Sequence, residues 1–206
     1  MILLLFVLIP LLALWAFVSA LAFVSSKLRP THFLLLLAVL LAAPVAAWKY
    51  YERGFMLQAV PDALHVRSVL YALEESWGFG PGGNEAGIRF YPLSAEISSR
   101  IQRGGVSYLD HLPPNKDQAS RSQRGSYTQW SETPIQGDHW KINENTGLLN
   151  VIDYICAYGF CIDIPPDRLR QANEIVSKPG SFYARGRIGT IVVSPRERLV
   201  LFFYNG

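Results

Sequence analysis

The sequence predicts an α+β protein in two parts, an N-terminal two-helix transmembrane hairpin and one small soluble α+β domain that ends in a β-hairpin. Three observations lead there. Residues 2–24 carry no charge, residues 32–48 carry none either, and every acidic residue of the chain lies after Trp48. Beyond that point, segments with helical and with strand periodicity alternate between clusters of Gly, Pro and Asn. Whole-chain averages hide the division: 50% hydrophobic residues, 17% charged residues and a mean hydropathy of +0.17 also describe an apolar-rich globular protein.

A bilayer core of roughly 30 Å is crossed by about 20 apolar residues, and the helix is the open-chain conformation that pairs its own backbone groups there. The spans are expected at about residues 2–24 and 32–50, where His32, Tyr50 and Tyr51 suit the headgroup region. The hairpin then occupies residues 1–51 and the soluble domain residues 52–206. A cleaved signal peptide is the competing reading of the first run. Against it, the chain start has no Lys or Arg, and the apolar run exceeds the roughly 7–15 residues of a signal core. The turn at residues 25–31 is short enough to make the helices antiparallel neighbours. Ala13, Ala16 and Ala20 are expected to pack against Ala38, Ala42 and Ala46, and Pro10 and Pro44 to kink the helices.

Basic residues near span ends set orientation. Lys27 and Arg29 mark the turn as cytoplasmic, whereas Lys49 and Arg53 argue the other way. Since Lys49 lies where it can snorkel from a helix end, the preferred reading is an integral membrane protein of a bacterial inner membrane with a periplasmic domain.

Within the domain, residues 64–77 suit a strand or a helix. A strand is expected over 87–93, then a helix capped by Ser94, with Ile97 and Ile101 on one face, closing at Gly104–Gly105. Residues 112–136 read as a long surface loop with an edge strand at 127–130, pinned by Trp130 and Trp140 or offering Trp130 as a contact. Asn145 or Thr146 should cap a helix over 148–158, followed by a strand over 160–164 and a helix from Asp167 through Ile175 and Val176. Residues 188–193 and 199–204 form the closing hairpin.

The two cysteines, Cys156 and Cys161, are close enough for a disulfide if Gly159 turns the chain. Two buried thiols are the alternative. With no third Cys or clustered His, they leave zinc short of ligands.

Gly78, Gly80 and Gly83 fit the G-x-G-x-x-G spacing of dinucleotide sites. Pro81 removes an amide there, and residues 87–91 read as strand where that motif requires a helix. The segment is therefore expected to be a connection between strands, with Gly78, Gly80, Gly82 and Gly83 as a candidate contact loop. Asp110–His111 and Asp138–His139 pair a carboxylate with an imidazole, the ingredients of acid–base chemistry. Neither is accompanied by a nucleophile motif. Lys178, Arg185 and Arg187 offer an anion-binding edge, or a strand edge protected by charge.

No cofactor is expected. From Lys49 onward, basic and acidic residues nearly balance, so nucleic acid is not an expected partner. The expected partners are the lipid bilayer and another protein. The functional expectation is a membrane-anchored extracytoplasmic interaction module, such as an inhibitor, an immunity factor or an accessory subunit of an envelope complex. A membrane-tethered hydrolase using Asp110, His111, Asp138 or His139 is the alternative, so the enzyme question stays open.

Overall fold

A computed structural model describes residues 2–76, 85–121, 124–137 and 140–205 of the chain, with side chains from residue 8 onward. The chain divides into two compact units, Met1–Glu52 and Arg53–Gly206.

The first unit is built on helix α1 (Ile2–Lys27) and the greater part of helix α2 (Pro30–Leu57). Both continue through their prolines, and only Leu28 and Arg29 separate them, a tighter connection than expected. Ser25 and Ser26 fall within the last turn of α1, where their hydroxyls donate back to the Ala22 and Phe23 carbonyls at 2.8 and 2.7 Å. Pro30 begins α2, where a missing N–H costs nothing. The alanine faces do not pack together: Ala13, Ala16, Ala20, Ala38, Ala42 and Ala46 are all exposed. The half-buried residues, Leu21, Val24, Phe33, Leu36 and Leu37, lie toward the turn. Apolar side chains gain nothing from each other over an apolar solvent, so small-residue spacing alone does not dictate the pairing. Both helices are long and apolar enough to cross a membrane, with mean hydropathies of 2.3 and 2.0.

The second unit is a fully antiparallel six-stranded sheet covered on both faces. Its strands are β1 (Tyr71–Ser76), β2 (Glu85–Pro92), β3 (Ser131–Glu132), β4 (Phe182–Arg185), β5 (Gly189–Ser194) and β6 (Leu199–Asn205). Their spatial order is β1-β2-β6-β5-β4-β3, so the last strand lies in the interior beside β2. Alternation of side chains then divides two cores. Ile88, Phe90, Val192, Leu201 and Phe203 pack with Val151, Ile155, Ile175 and Val176 on one face. Tyr91, Ile191, Val193, Val200 and Phe202 pack with Leu64, Ile97 and Ile101 on the other. A strand sandwiched in this way needs no polar face, which is why β6 reads as an unbroken apolar run.

Three helices supply the covering layers: α3 (Ala95–Asp110), α4 (Val151–Ile155) and α5 (Pro166–Ser177). The Ser94 hydroxyl accepts the Ile97 amide at 3.2 Å and caps α3 as expected. The helix does not close at Gly104–Gly105, however. Gly105 takes a left-handed kink (φ 55°, ψ −143°) and the helix resumes to Asp110. Of the ambiguous 64–77 segment, Leu64 ends a 3-10 turn begun at Asp62, residues 65–70 form neither helix nor strand, Tyr71–Ser76 form β1, and Trp77 lies outside the described residues.

The expected 148–158 helix shrinks to α4. Asn143, rather than Asn145 or Thr146, organises the chain before it, its carboxamide oxygen accepting the amides of Asn145 and Thr146 at 3.0 and 3.3 Å. That turn folds Leu149 back onto Ile142. Helix α4 is then started by a residue remote in sequence, since Asn173 of α5 accepts the Val151 amide at 2.9 Å. Residues 160–164 alternate in burial, with Ile162 and Ile164 inside, but form no strand. The edge strand lies at Ser131–Glu132, past the expected 127–130. Gln129 adopts φ 59°, which breaks an extended run there, and the Trp130 amide is taken by Asp110 Oδ1 at 3.1 Å.

Candidate functional site

Glu74, Gly87, Tyr204 and Gly189 stand side by side on β1, β2, β6 and β5. They mark the end of the sheet that carries the β4–β5 turn. The Tyr204 ring lies across Gly87: a Cβ there would come within 2.4 Å of the ring. This close approach carries the phenol past β2 to Glu74, whose Oε2 it meets at 2.6 Å.

Arg89, two residues along β2, donates through Nη2 and Nε to the same oxygen at 2.5 and 3.1 Å. Its side chain is 6% exposed and its guanidinium also lies 5.1 Å from the Tyr204 ring centre. A buried cation needs a partner within reach, which Glu74 supplies. Burial raises the Glu74 pKa, but the Tyr204 hydrogen bond and the Arg89 charge lower it further, leaving it below the ordinary glutamate value. Tyr204 is pushed up by burial, with the Glu74 bond and charge adding to the rise. Tyr91, on the same face of β2, is pushed up to about 12, chiefly by burial. These groups hold fixed protonation states at neutral pH, which suits a positioning network rather than a proton shuttle.

Two clefts flank the β4–β5 turn. One, of about 330 Å³, has Arg124 and Arg187 at its walls with Ala59, Tyr127 and Phe202 as apolar lining. Arg124 stacks 4.3 Å from the Phe55 ring centre. Tyr127 donates to the Ala59 carbonyl at 2.7 Å, and its burial pushes the phenol pKa well up, so it stays neutral. The other cleft, of about 220 Å³, is lined by Arg185 and Arg187 with Tyr154, Tyr158 and Asn205. Arg185 is held by a hydrogen bond to the Gln136 carbonyl. Among the described residues no carboxylate lines either cleft, and neither Arg124 nor Arg187 makes an ion pair. A third cleft, of about 200 Å³, has the opposite character, with Glu74, Glu75 and Glu85 around Arg89 and Phe55.

The loop that delivers Arg124 is tied down by polar contacts. Buried Asn115 accepts the Asp62 amide at 2.8 Å and donates to the Gly125 carbonyl at 2.9 Å. Asp62 in turn accepts the Lys116 amide and the Arg121 guanidinium at 3.1 and 2.5 Å. Although burial opposes its charge, these donors hold the Asp62 carboxyl below its usual range.

The sequence-derived candidates fare unevenly. Asp110 accepts the Trp130 amide, and exposed His111 bonds through Nδ1 to the Ser107 carbonyl at 2.7 Å, so each is occupied locally at the end of α3. Asp138, His139 and the glycines Gly78, Gly80, Gly82 and Gly83 lie outside the described residues. Trp130 is 4% exposed inside the core, pinning the loop and leaving no surface to offer as a contact. Lys178 pairs with Glu174 at 3.0 Å and lines neither arginine cleft, whereas Arg185 and Arg187 stand together at the turn. Arg124 and the Glu74–Arg89–Tyr204 set have no local sequence signal, because their neighbours in space come from distant segments. Cys156 and Cys161 are joined, with sulfurs 2.17 Å and Cα atoms 4.7 Å apart. Among the described residues no group of His, Cys, Asp or Glu is arranged to hold a metal ion. Comparison with protein-family models, with curated proteins and with solved structures gives no match.

Proposed function

We propose that the chain is a membrane-anchored interaction module whose α+β domain lies on the extracytoplasmic side, the periplasm of a bacterium. The observation that carries this reading is the surface of α1 and α2, whose candidate spans are uncharged over most of their length and, among the described residues, bury none of their side chains. Apolar surface of that extent is stable only in an apolar solvent or beneath a partner. Lys27 and Arg29 at the turn favour retention of the turn in the cytoplasm. The opposing basic residues are otherwise engaged: Lys49 pairs with Glu52 at 2.7 Å, and Arg53 donates to the Arg67 carbonyl at 2.7 Å. The Cys156–Cys161 bond fits an oxidising compartment. The arginine clefts supply a surface for a partner, and anchoring raises its effective concentration near the membrane.

Ser120 is exposed, so S120C provides a reporter beside cysteines that are already bonded. With a membrane-impermeant maleimide, intact cells should show labelling of S120C and not of the parent chain. Labelling confined to lysed cells would overturn the extracytoplasmic placement, and release of the protein by alkaline carbonate would overturn the anchor.

A further inference from the structure

We propose that the paired clefts around the β4–β5 turn form a binding site for a phosphate-type oxyanion carried on an organic group. Three arginines line the clefts beside this one turn, Arg124 from the loop after α3, Arg185 from the end of β4 and Arg187 from the turn itself. Charge brought together in this way requires an explanation, since like charges repel and, among the described residues, no carboxylate in the lining offsets them. Elsewhere in the domain the arginines with tightly bound partners show the usual solution: Arg89 has Glu74 and Arg121 has Asp62.

The geometry suits an anion with several oxygens. The Arg124 guanidinium lies over Phe55, 4.3 Å from its ring centre, and makes no ion pair among the described residues; a planar fork of this kind matches phosphate oxygens two at a time. Arg187 is exposed at the turn with no ion pair among the described residues. Arg185 is fixed by the Gln136 carbonyl. One carboxylate would leave most of this charge unmatched, whereas a phosphate ester carries more charge and more acceptors. The substituent is indicated by the rest of the lining, because Ala59, Tyr127 and Phe202 present apolar surface beside the guanidinium groups. The larger cleft, about 330 Å³, has the volume of a small-molecule site. A lipid headgroup and a soluble phosphate ester share this chemistry. The site does not depend on which side of the membrane the domain occupies, so the topology experiment and the binding experiment fail independently.

The test uses the full chain in dodecyl maltoside micelles with two probes, inorganic phosphate followed by calorimetry, and phosphatidylglycerol against phosphatidylcholine followed by native mass spectrometry. Phosphate should bind saturably and weaken at least tenfold in R124Q/R187Q. The control R170Q/R196Q removes the same charge from exposed arginines outside the clefts and should stay within twofold of the parent. If R124Q/R187Q fails to fold, the single R187Q at the exposed turn should still weaken binding at least threefold. Retention of phosphatidylglycerol over phosphatidylcholine, displaced by phosphate, identifies a lipid headgroup as the source. Phosphate binding without that retention identifies a soluble ester, and both results uphold the site. The proposal is overturned if neither probe binds, if R124Q/R187Q binds like the parent, or if both double variants weaken equally. It is also overturned if a polyglutamate peptide binds through Arg124 and Arg187 while phosphate does not.

Discussion

Tyr204 of β6 reaches Glu74 of β1 across the intervening strand β2 because the residue between them is Gly87: the phenol donates to the carboxylate at 2.6 Å over a position where a Cβ would stand 2.4 Å from the ring. The apolar body of the tyrosine, the buried Arg89 and the edge-strand carboxylate therefore depend on one missing methyl group.

Substituting Gly87→Ala should displace the Tyr204 ring and break its bond to Glu74. Overpacking of this kind costs about 1–3 kcal/mol, or roughly 2–12 °C in Tm for a domain of this size. Y204F removes the hydrogen bond but keeps the ring, and should cost less. Thermal unfolding of the full chain in detergent checks the order, and equal Tm values for G87A and the parent would show that the ring moves aside freely.

The pH dependence follows from the depressed Glu74 pKa. A carboxyl whose folded value lies below its unfolded value, near 4.5, contributes stability that is present above pH 4.5 and lost as pH falls through the folded value. Thermal scans from pH 6 to pH 3 should show a smaller drop in E74Q than in the parent, the difference being damped by solvent at the partly exposed carboxylate. E74Q should also be less stable at pH 7 than R89M. The Arg89 side chain is 6% exposed and Glu74 34%, so solvent can rescue the orphaned carboxylate but not the orphaned guanidinium.

Reduction of Cys156–Cys161 opens a short loop next to α4. Closing so few residues is worth about 2 kcal/mol in the chain-entropy description, so C156S/C161S should lower Tm by roughly 4–8 °C. Dithiothreitol should lower the parent by the same amount and leave the double serine variant unchanged. A reductant effect of equal size in both would assign the loss elsewhere.

Asn115 is the tie between the long loop and the segment before β1. N115A leaves the Asp62 amide and the Gly125 carbonyl without their partner at a buried position. The expected cost is about 2–4 kcal/mol, and limited trypsin digestion should cut after Arg121 and Arg124 faster than in the parent. Unchanged cleavage there would show that Asn115 does not hold the loop.

Local chemistry made part of this structure readable. The uncharged runs before Trp48 dictate long apolar helices, Ser94 announces the start of α3, and the β-rich runs around Pro195 announce the last hairpin, because each depends on residues adjacent in the chain. Other elements are decided by a distant partner. Leu149 and Val151 do not extend a helix from Thr146 because Ser177 and Asn173 take their amides, and Ile162 and Ile164 alternate without a strand to pair with.

The candidate site was the least legible part. Arg185 and Arg187 stood out as a basic pair, yet Lys178 belonged elsewhere and Arg124 had no local mark. Of the acid–imidazole pairs, Asp110–His111 serves the end of α3.

By itself the sequence determined that this protein has two apolar N-terminal helices and an α+β domain ending in a β-hairpin, since hydropathy and periodicity are properties of consecutive residues. Only the tertiary structure decided that β6 lies in the interior of the sheet, that Tyr204 crosses Gly87 to reach Glu74, and that Arg187 shares one cleft with Arg124 and another with Arg185. Those outcomes depend on burial and charge compensation between segments far apart in the chain, where no local pattern carries the energy.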